Sequence, residues 1–325
     1  MNENSEKTNI IKPLLAKDVD ESKLKFPLWG FCKIDGCWLG IQHGKAFARS
    51  LKQHENKCIT EFYSNPDFEG IRGEFIAGII PNREGLVRES SSFASTIDKV
   101  GEPGKDFSLW AFDYVTEKTK DLPYKDRYGI LAEKVENLRT KYGNAINLVR
   151  GTVLFDLPHY LAYIKKCLNS GYEGIILRDY NLPHKEGRSS SVKTHLWRYK
   201  PYKDAEFLIT GIIEGNTNTN EKEVNELGRT KRSFAQDGLI PNGLVGGIVG
   251  TLLEDLTDCM GKVIMQKGSE VLVSPGEMTA KDRKYYFENQ GEILGKIAKF
   301  KYFAFDLKDK PRYPTFITFR SEEDL

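Results

Sequence analysis

Pro27-Leu28-Trp29-Gly30-Phe31-Cys32 runs into Lys33-Ile34-Asp35-Gly36, and the reading of that junction decides the fold. The apolar run is a strand, Asp-Gly is a turn signal, and the lysine stands where one meets the other. Alone, Lys-x-Asp-Gly arises easily by chance and means a strand ending in a turn. It becomes a nucleophile only if the chain also supplies the partners such a lysine needs.

The length of 325 residues favours about two domains. With 39% hydrophobic and 29% charged residues the composition is that of a soluble globular protein. The net charge of +2 puts any nucleic-acid affinity into local clusters of Lys and Arg rather than their total. No stretch approaches the roughly 18 apolar residues of a membrane span, and Met1-Asn2-Glu3-Asn4-Ser5-Glu6-Lys7 is no signal peptide, so a cytoplasmic location is expected. The five cysteines Cys32, Cys37, Cys58, Cys167 and Cys259 show no C-x-x-C pair and are expected to be reduced packing residues.

Along the chain, residues 1 to 11 are polar and expected to be a disordered tail, with order beginning at Lys12-Pro13-Leu14-Leu15-Ala16. The acidic piece Asp18 to Lys25 suggests one short helix. Strand-like runs over Trp38 to Gln42, Lys45 to Ser50, Ile71 to Ile80 and Leu109 to Val115 predict a largely antiparallel sheet. Helical spacing of Leu131, Val135, Leu138 and Tyr142 predicts a helix over Tyr124 to Gly143. Leu157, Leu161, Ile164 and Leu168 predict another over Asp156 to Asn169, with Asp156 as N-cap. Glu173 to Arg178 is a buried strand with charges at both ends, and Lys185 to Ser191 reads as a basic, flexible segment. From Phe207 onward five or six short strands, a helix around Ala280 to Asn289 and Gly-rich turns have the rhythm of a small barrel such as an OB-fold, with Asn216 to Asn220 as a loop tip. The expected class is α+β: an antiparallel-sheet domain over 12 to 204, then a C-terminal OB-fold β-barrel over 205 to 325.

A lysine that attacks a nucleotide α-phosphate must be neutral part of the time, which calls for a pKa lowered by burial or nearby cations. It also needs carboxylates for a divalent metal, cations around the phosphates and an aromatic face for the base. The chain supplies these in order: Arg49 after the next strand, Glu74 and Glu173 at apolar strand positions, Phe112 in mid-strand, and Arg198 and Lys200 at i, i+2 spacing on one strand face.

As an ordered set, Lys33-Ile34-Asp35-Gly36, Arg72-Gly73-Glu74-Phe75, Trp110-Ala111-Phe112-Asp113, Glu173-Gly174-Ile175-Ile176-Leu177-Arg178 and Trp197-Arg198-Tyr199-Lys200 resemble the nucleotidyltransferase motifs of ATP-dependent DNA ligases. Pro311-Arg312-Tyr313-Pro314-Thr315-Phe316-Ile317-Thr318-Phe319-Arg320 is similar to the last motif of the small bacteriophage ligases. The resemblance implies that Lys33 is adenylylated, that Arg49 and Glu74 hold the ribose and nearby phosphate, and that Phe112 stacks on adenine. It implies that Glu173, with Glu74, serves Mg2+ or another divalent cation, and that Arg198 and Lys200 contact the α-phosphate. The resemblance further implies that Asp35 positions the metal or ribose and that Arg312 and Arg320 orient the outgoing pyrophosphate, and Gly36 is expected to permit the turn. Three departures stand out: Phe31 where many members have Glu, Trp38 where they have Arg, and Arg198 where Lys is usual.

The implied activity uses ATP to seal nicks in double-stranded DNA through a lysyl-AMP intermediate, in replication, repair or recombination. A minimal two-domain monomer is expected, hinged near Tyr202 to Ala205, with Lys193 to Lys203, Arg229 to Arg232, Lys281 to Lys284 and Lys296 to Lys301 available to phosphates. The alternatives are an RNA ligase or an mRNA-capping guanylyltransferase of the same superfamily, or a catalytically silent nucleic-acid-binding relative.

Overall fold

The structure, a computed structural model, describes residues 10–320. The chain divides into two compact units at Lys200/Pro201. The first carries β1 (Leu28–Lys33), β2 (Cys37–Gln42), α1 (Lys57–Tyr63), β3 (Ile71–Ala77), α2 (Leu86–Ser95), β4 (Phe107–Tyr114), α3 (Tyr124–Tyr142), α4 (Leu157–Asn169), β5 (Gly174–Arg178) and β6 (Trp197–Tyr199). Two five-stranded sheets organise it. One runs Lys17–Asp18, β6, β5, β1, Gly151–Leu154; the other runs Lys45–Phe47, β2, β3, β4, Ile146–Leu148. Pairing is antiparallel except where Lys17–Asp18 joins β6 and where Ile146–Leu148 joins β4.

The expected helices form for the expected reasons. α3 buries Leu131, Val135 and Leu138 on the second sheet, and Gly143 stops it at φ +56. α4 is capped by Asp156, whose carboxylate accepts from the His159 N–H at 2.8 Å. α1 and α2 were not expected. The Ser-rich middle of α2 is held locally and by β3: Ser90 Oγ donates to Leu86 O one turn back at 2.6 Å and accepts from the Ala77 N–H at 3.0 Å. Asn56, fully buried, caps α1 and donates to the carbonyls of Phe93, Thr96 and Lys99 around the end of α2.

Four expectations change. The Asp18 to Lys25 helix is only a short 3-10 turn over Glu21–Lys23, because Asp20 caps Ser22 locally. The strand from Lys45 ends at Phe47, where the chain turns at Leu51 with φ +66. The supposedly flexible Lys185 to Ser191 is tied down: Gly187–Arg188 pairs in parallel with Leu14–Leu15, and Arg188 donates to Ala16 O at 2.6 Å. The tail expected over residues 1 to 11 lies, through residue 9, outside the described residues. Ile11 itself is buried and exchanges hydrogen bonds of 2.9 and 3.0 Å with the Gln42 amide.

The second unit holds β7 (Tyr202–Asn218), β8 (Leu239–Leu252), β9 (Glu270–Val273), α5 (Ala280–Glu288), β10 (Ile297–Phe303) and β11 (Arg312–Phe319), in the sheet order β9-β8-β7-β10-β11. Bulges near Gly211 and Glu214 let the 17-residue β7 bend, and a bridge between Ser274 and Thr315 joins the two edges of the sheet. Asn216 to Asn218 extend β7 instead of forming a loop tip, pairing with Pro241, Ile240 and Leu239. The core of this unit is Phe207, Ile209, Ile248, Val271, Phe300 and Phe316 with their neighbours.

One buried charge cluster joins the two sheets of the first unit. Asp113 on β4 accepts from Arg127 of α3 at 2.9 and 3.2 Å and from Arg178 of β5 at 2.7 Å, and all three side chains are almost wholly enclosed. Burial alone would raise the Asp113 pKa, but the two guanidiniums outweigh it and hold the carboxyl well below the usual range. The stabilisation from this depressed pKa is therefore complete above an unfolded aspartate's ~3.9 and is lost as the pH falls toward the folded value. Asp113→Asn should cost about 3–5 kcal/mol at pH 7, because two buried guanidiniums lose their counter-ion. In urea unfolding followed by tryptophan fluorescence, the gap to the wild type should hold from pH 8 to about 4 and shrink below that.

Candidate functional site

β1 delivers Lys33 at its end, paired across the sheet with Gly174, and the Lys33 carbonyl accepts from the Glu173 N–H at 3.0 Å. The lysine and the carboxylate are thereby fixed side by side through the backbone. Their side chains meet as well: Lys33 Nζ pairs with Glu173 Oε2, and Lys200 Nζ pairs with Glu173 Oε1. One buried carboxylate thus bridges two lysines. Gly174 makes this possible. Its φ of +155 suits glycine, and a Cβ there would collide with the Tyr199 carbonyl on the neighbouring strand.

Glu74, on β3, faces the same place. Its electrostatic partners are Lys33, Glu173, Asp35 and Arg49. Gly36 brings the turn close to it, since a Cβ at Gly36 would stand 2.5 Å from Phe75 O and 2.9 Å from Glu74 Cγ. Gly36 therefore serves close approach rather than a left-handed turn.

The charges settle differently from expectation. Burial pulls the Lys33 pKa down, but Glu173 and then Glu74 outweigh it, and the net shift is upward. Lys33 is thus a charged partner and not the lowered-pKa amine that the sequence reading calls for. The lowered lysine is Lys200, through burial and the nearby Lys33 and Arg198 charges, with Glu173 opposing. Glu74 is pushed up to about 7, by burial first and then by Glu173 and Asp35, with Lys33 and Arg49 opposing.

Phe112 lies in the apolar layer that also holds Phe31, Ile34, Trp110, Tyr172 and Ile176, and its carbonyl accepts from the Tyr124 hydroxyl at 2.8 Å. Phe31 is core: it packs edge-on to Trp29 and Tyr124 at 6.0 and 5.9 Å. Trp38 lies opposite Glu74 on β2 and folds over Gly40, with the Arg72 guanidinium 6.0 Å from its ring. Arg72 donates to the Ile11 and Lys12 carbonyls at 3.0 and 3.2 Å, and burial lowers its pKa to about 10. Arg198 pairs with Asp18 at 2.6 Å, whereas Lys200 holds Glu173. Arg312 and Arg320 belong to the second unit. There Arg320 pairs with Glu206, and Arg312 lies 4.9 Å from the Phe303 ring and donates to Phe305 O at 3.2 Å.

A cavity of ≈ 340 Å³ lies in the first unit, its wall including Cys32, Ile34, Trp110, Asn147, Arg150 and Tyr172 but not Lys33 itself. Trp110 Nε1 is buried there without a hydrogen-bond partner. Sequence reasoning missed this cavity and the Asp113 cluster. The only signal for the cluster was the charged residue flanking each key strand, Asp113 beside Phe112 and Arg178 at the end of β5.

Glu74 and Glu173 present hard carboxylate oxygens. Mg2+ is commonly held by one or two carboxylates together with substrate phosphates, so the donor set fits that ion.

No family model and no curated protein matches the chain. Solved structures do. Chlorella virus DNA ligase-adenylate aligns at 22% identity and TM-score 0.50, covering 96% of this chain and all of that one. A second crystal structure of the Chlorella virus ligase-adenylate aligns at 25% identity and TM-score 0.50, covering 97% and 100%. A Lig E DNA ligase, described as binding DNA with a minimal scaffold, aligns at 18% identity and TM-score 0.66, covering 96% and 100%. The chain has the fold of these DNA ligases, a nucleotidyltransferase domain followed by an OB-fold.

Glu74 yields a prediction. A carboxyl whose pKa is raised in the folded state contributes its stability below the unfolded value of ~4.3 and loses it as the pH rises through about 7. Glu74→Gln should therefore gain stability relative to the wild type between pH 5 and 8, by an amount on the order of 1 kcal/mol, read from denaturant midpoints at the two pH values. No change with pH would show that Glu74 is a well-solvated anion, and a change in the opposite direction would show that Lys33 and Arg49 outweigh burial.

Proposed function

We propose that the chain is an ATP-dependent DNA ligase in which Lys33 carries AMP. The observation that supports it is the Glu173 carboxylate shared by Lys33 and Lys200, in the fold of proteins solved as ligase-adenylates. Lys33 Nζ, as a free amine, bonds to the α-phosphorus of ATP and pyrophosphate leaves. An oxygen of the 5′-phosphate at a nick then takes the AMP and frees Lys33. Finally the adjacent 3′-hydroxyl attacks that 5′-phosphate, AMP departs, and the strand is closed.

The side chains have distinct duties in this reading. Glu173 keeps Lys33 charged and anchored until substrate arrives, and Lys200 withdraws part of that carboxylate's field by taking its other oxygen. Once Lys33 turns to the phosphate, Lys200 supplies positive charge where negative charge accumulates. Arg49 and Asp35 act on the ribose side of Glu74, and Phe112 offers a face for adenine beside Ile176. Mg2+ bound at Glu74 and Glu173 would neutralise phosphate charge. Arg198, held by Asp18, reaches a phosphate only by leaving that pair. The second unit, as the OB-fold, contributes Arg312 and Arg320 to the departing pyrophosphate. The protein acts as a monomer. Among the described residues no helix is long and apolar enough to cross a membrane.

The cations open to DNA phosphates are fewer than the sequence clusters suggest. Of the Lys193 to Lys203 run, Arg198 and Lys200 are ion-paired and Lys203 donates to Thr257 Oγ1 and Asp258 O at 2.8 and 2.6 Å. Lys299 and Lys301 pair with Asp204 and Glu277. Lys193, Arg229, Lys231, Lys281 and Lys296 stay exposed.

With [α-32P]ATP and Mg2+ the wild type should take a covalent label that is discharged by nicked duplex DNA. Lys33→Ala should take none, and Lys200→Ala should label about 10²–10³-fold more slowly. A label from GTP only, or discharge by nicked RNA only, overturns the reading. Nick binding should weaken on the order of 10²-fold or more between 50 and 200 mM salt, as expected if several lysines and arginines displace counter-ions from the duplex.

A further inference from the structure

Cys32 immediately precedes Lys33 on β1, and Cys167 lies on α4, 135 residues away in sequence. Their Sγ atoms are 2.9 Å apart, and the Tyr163 hydroxyl is 3.6 Å from Cys32 Sγ. Neither thiol has a duty in the chemistry above; all five cysteines are free, as expected, and these two are in addition in direct contact. Cys32 is half-buried and forms part of the cavity wall, whereas Cys167 is fully enclosed. Of the two thiols Cys32 is the more accessible, and Cys167 is in contact with it from the enclosed side.

We propose that Cys32 and Cys167 are a modification site for peroxide, forming a reversible disulfide that slows the reaction of Lys33. Cys32 attacks one peroxide oxygen, the O–O bond breaks, and the sulfur becomes a sulfenic acid as the first water leaves. Cys167 then attacks the Cys32 sulfur, the S–O bond breaks, and the second water leaves. In sum two thiols and one peroxide become one disulfide and two waters. The Cys32 thiol is suited to the first step: its pKa is drawn down to about 7, chiefly by the Cys167 thiol, with help from Tyr163 and Lys166 and against burial.

The bond would act on both halves of the catalytic ion pair. Disulfide sulfurs stand about 2.05 Å apart, so closure draws the two side chains together by roughly 0.9 Å. Cys32 is one residue from Lys33. The Cys167 carbonyl accepts from the Tyr172 N–H at 3.0 Å, next to Glu173, whose own N–H holds Lys33 O. Displacements of about 1 Å at a reacting pair can cost on the order of 10²-fold in rate.

The slowing rests on Lys33 as nucleophile, but the disulfide does not, and the two are read separately. Reduced full-length protein is treated with a few equivalents of hydrogen peroxide, digested without reductant and analysed by mass spectrometry, while a parallel sample is assayed for labelling by [α-32P]ATP. The expected result is a Cys32–Cys167 linked peptide two hydrogens lighter than its parts, with labelling slowed 10- to 100-fold and restored by dithiothreitol. Cys32→Ser should give no link and label at the same rate with or without peroxide. Cys167→Ser should stop at an oxyacid on Cys32. The proposal is overturned by sulfinic acid on wild-type Cys32 with Cys167 untouched, by a link that leaves labelling unchanged, or by equal peroxide sensitivity of Cys32→Ser. A link formed in protein that never takes label would support the oxidisable pair and refute Lys33 as nucleophile.

Discussion

The first unit depends on a carboxylate that two arginines compete for. Asp113 is on one sheet, Arg178 on the other, and Arg127 on α3. The cluster is buried, so breaking any one link strands charge in a medium that cannot solvate it. Its neighbours in sequence are residues that the proposed chemistry uses. Phe112 precedes Asp113, and the strand that ends at Arg178 begins just after Glu173. The spacing between an aromatic face and a metal-type carboxylate is thus referred to one electrostatic joint. The Arg178 guanidinium also lies 4.1 Å from the Tyr124 ring, whose hydroxyl holds the Phe112 carbonyl. The joint therefore reaches Phe112 by two routes.

Much of this was legible in the amino-acid order. Lys33 at a strand end, Glu173 opening a buried strand, and α3 and α4 with their stop and cap signals all follow from local chemistry. What was not legible depends on contacts distant in sequence. The Ser-rich middle of α2 is polar enough to read as loop, and its docking through Leu86, Phe93 and the bond from Ala77 to Ser90 is a contact distant in sequence. Gly187–Arg188 looks mobile until Leu14–Leu15 pairs with it. The Lys33 pKa follows from the balance between burial and two carboxylates, one 41 and one 140 residues away, and no residue pattern reports that balance. Counting cations by sequence cluster overestimates those open to a ligand, because Arg198, Lys200 and Lys203 are spent on internal acceptors.

Phe31 and Trp38 show how departures from a motif are absorbed. Phe31 joins an aromatic cluster with Trp29, Tyr124 and Tyr128, adding to the apolar wall behind the lysine. Trp38 covers Gly40 beside Arg72, so its bulk lies along its own strand. A carboxylate at residue 31 would be enclosed among these rings, and burial there strongly disfavours a charge.

Lys33 and Glu173 are connected twice, once by a backbone hydrogen bond and once by their side chains. The two links differ in what they can yield. A strand can slip only by whole residues, and a slip of one would turn every side chain of β1 to the opposite face. The backbone link therefore keeps its register through any motion smaller than unfolding. In the proposed reaction, travel of the amine toward a phosphorus atom comes mainly from rotation about the lysine's own side-chain bonds, within reach of one four-carbon arm. On that proposal the radius of the arm sets how far a nucleotide sits from the strand, and the length of a single side chain fixes the substrate's position.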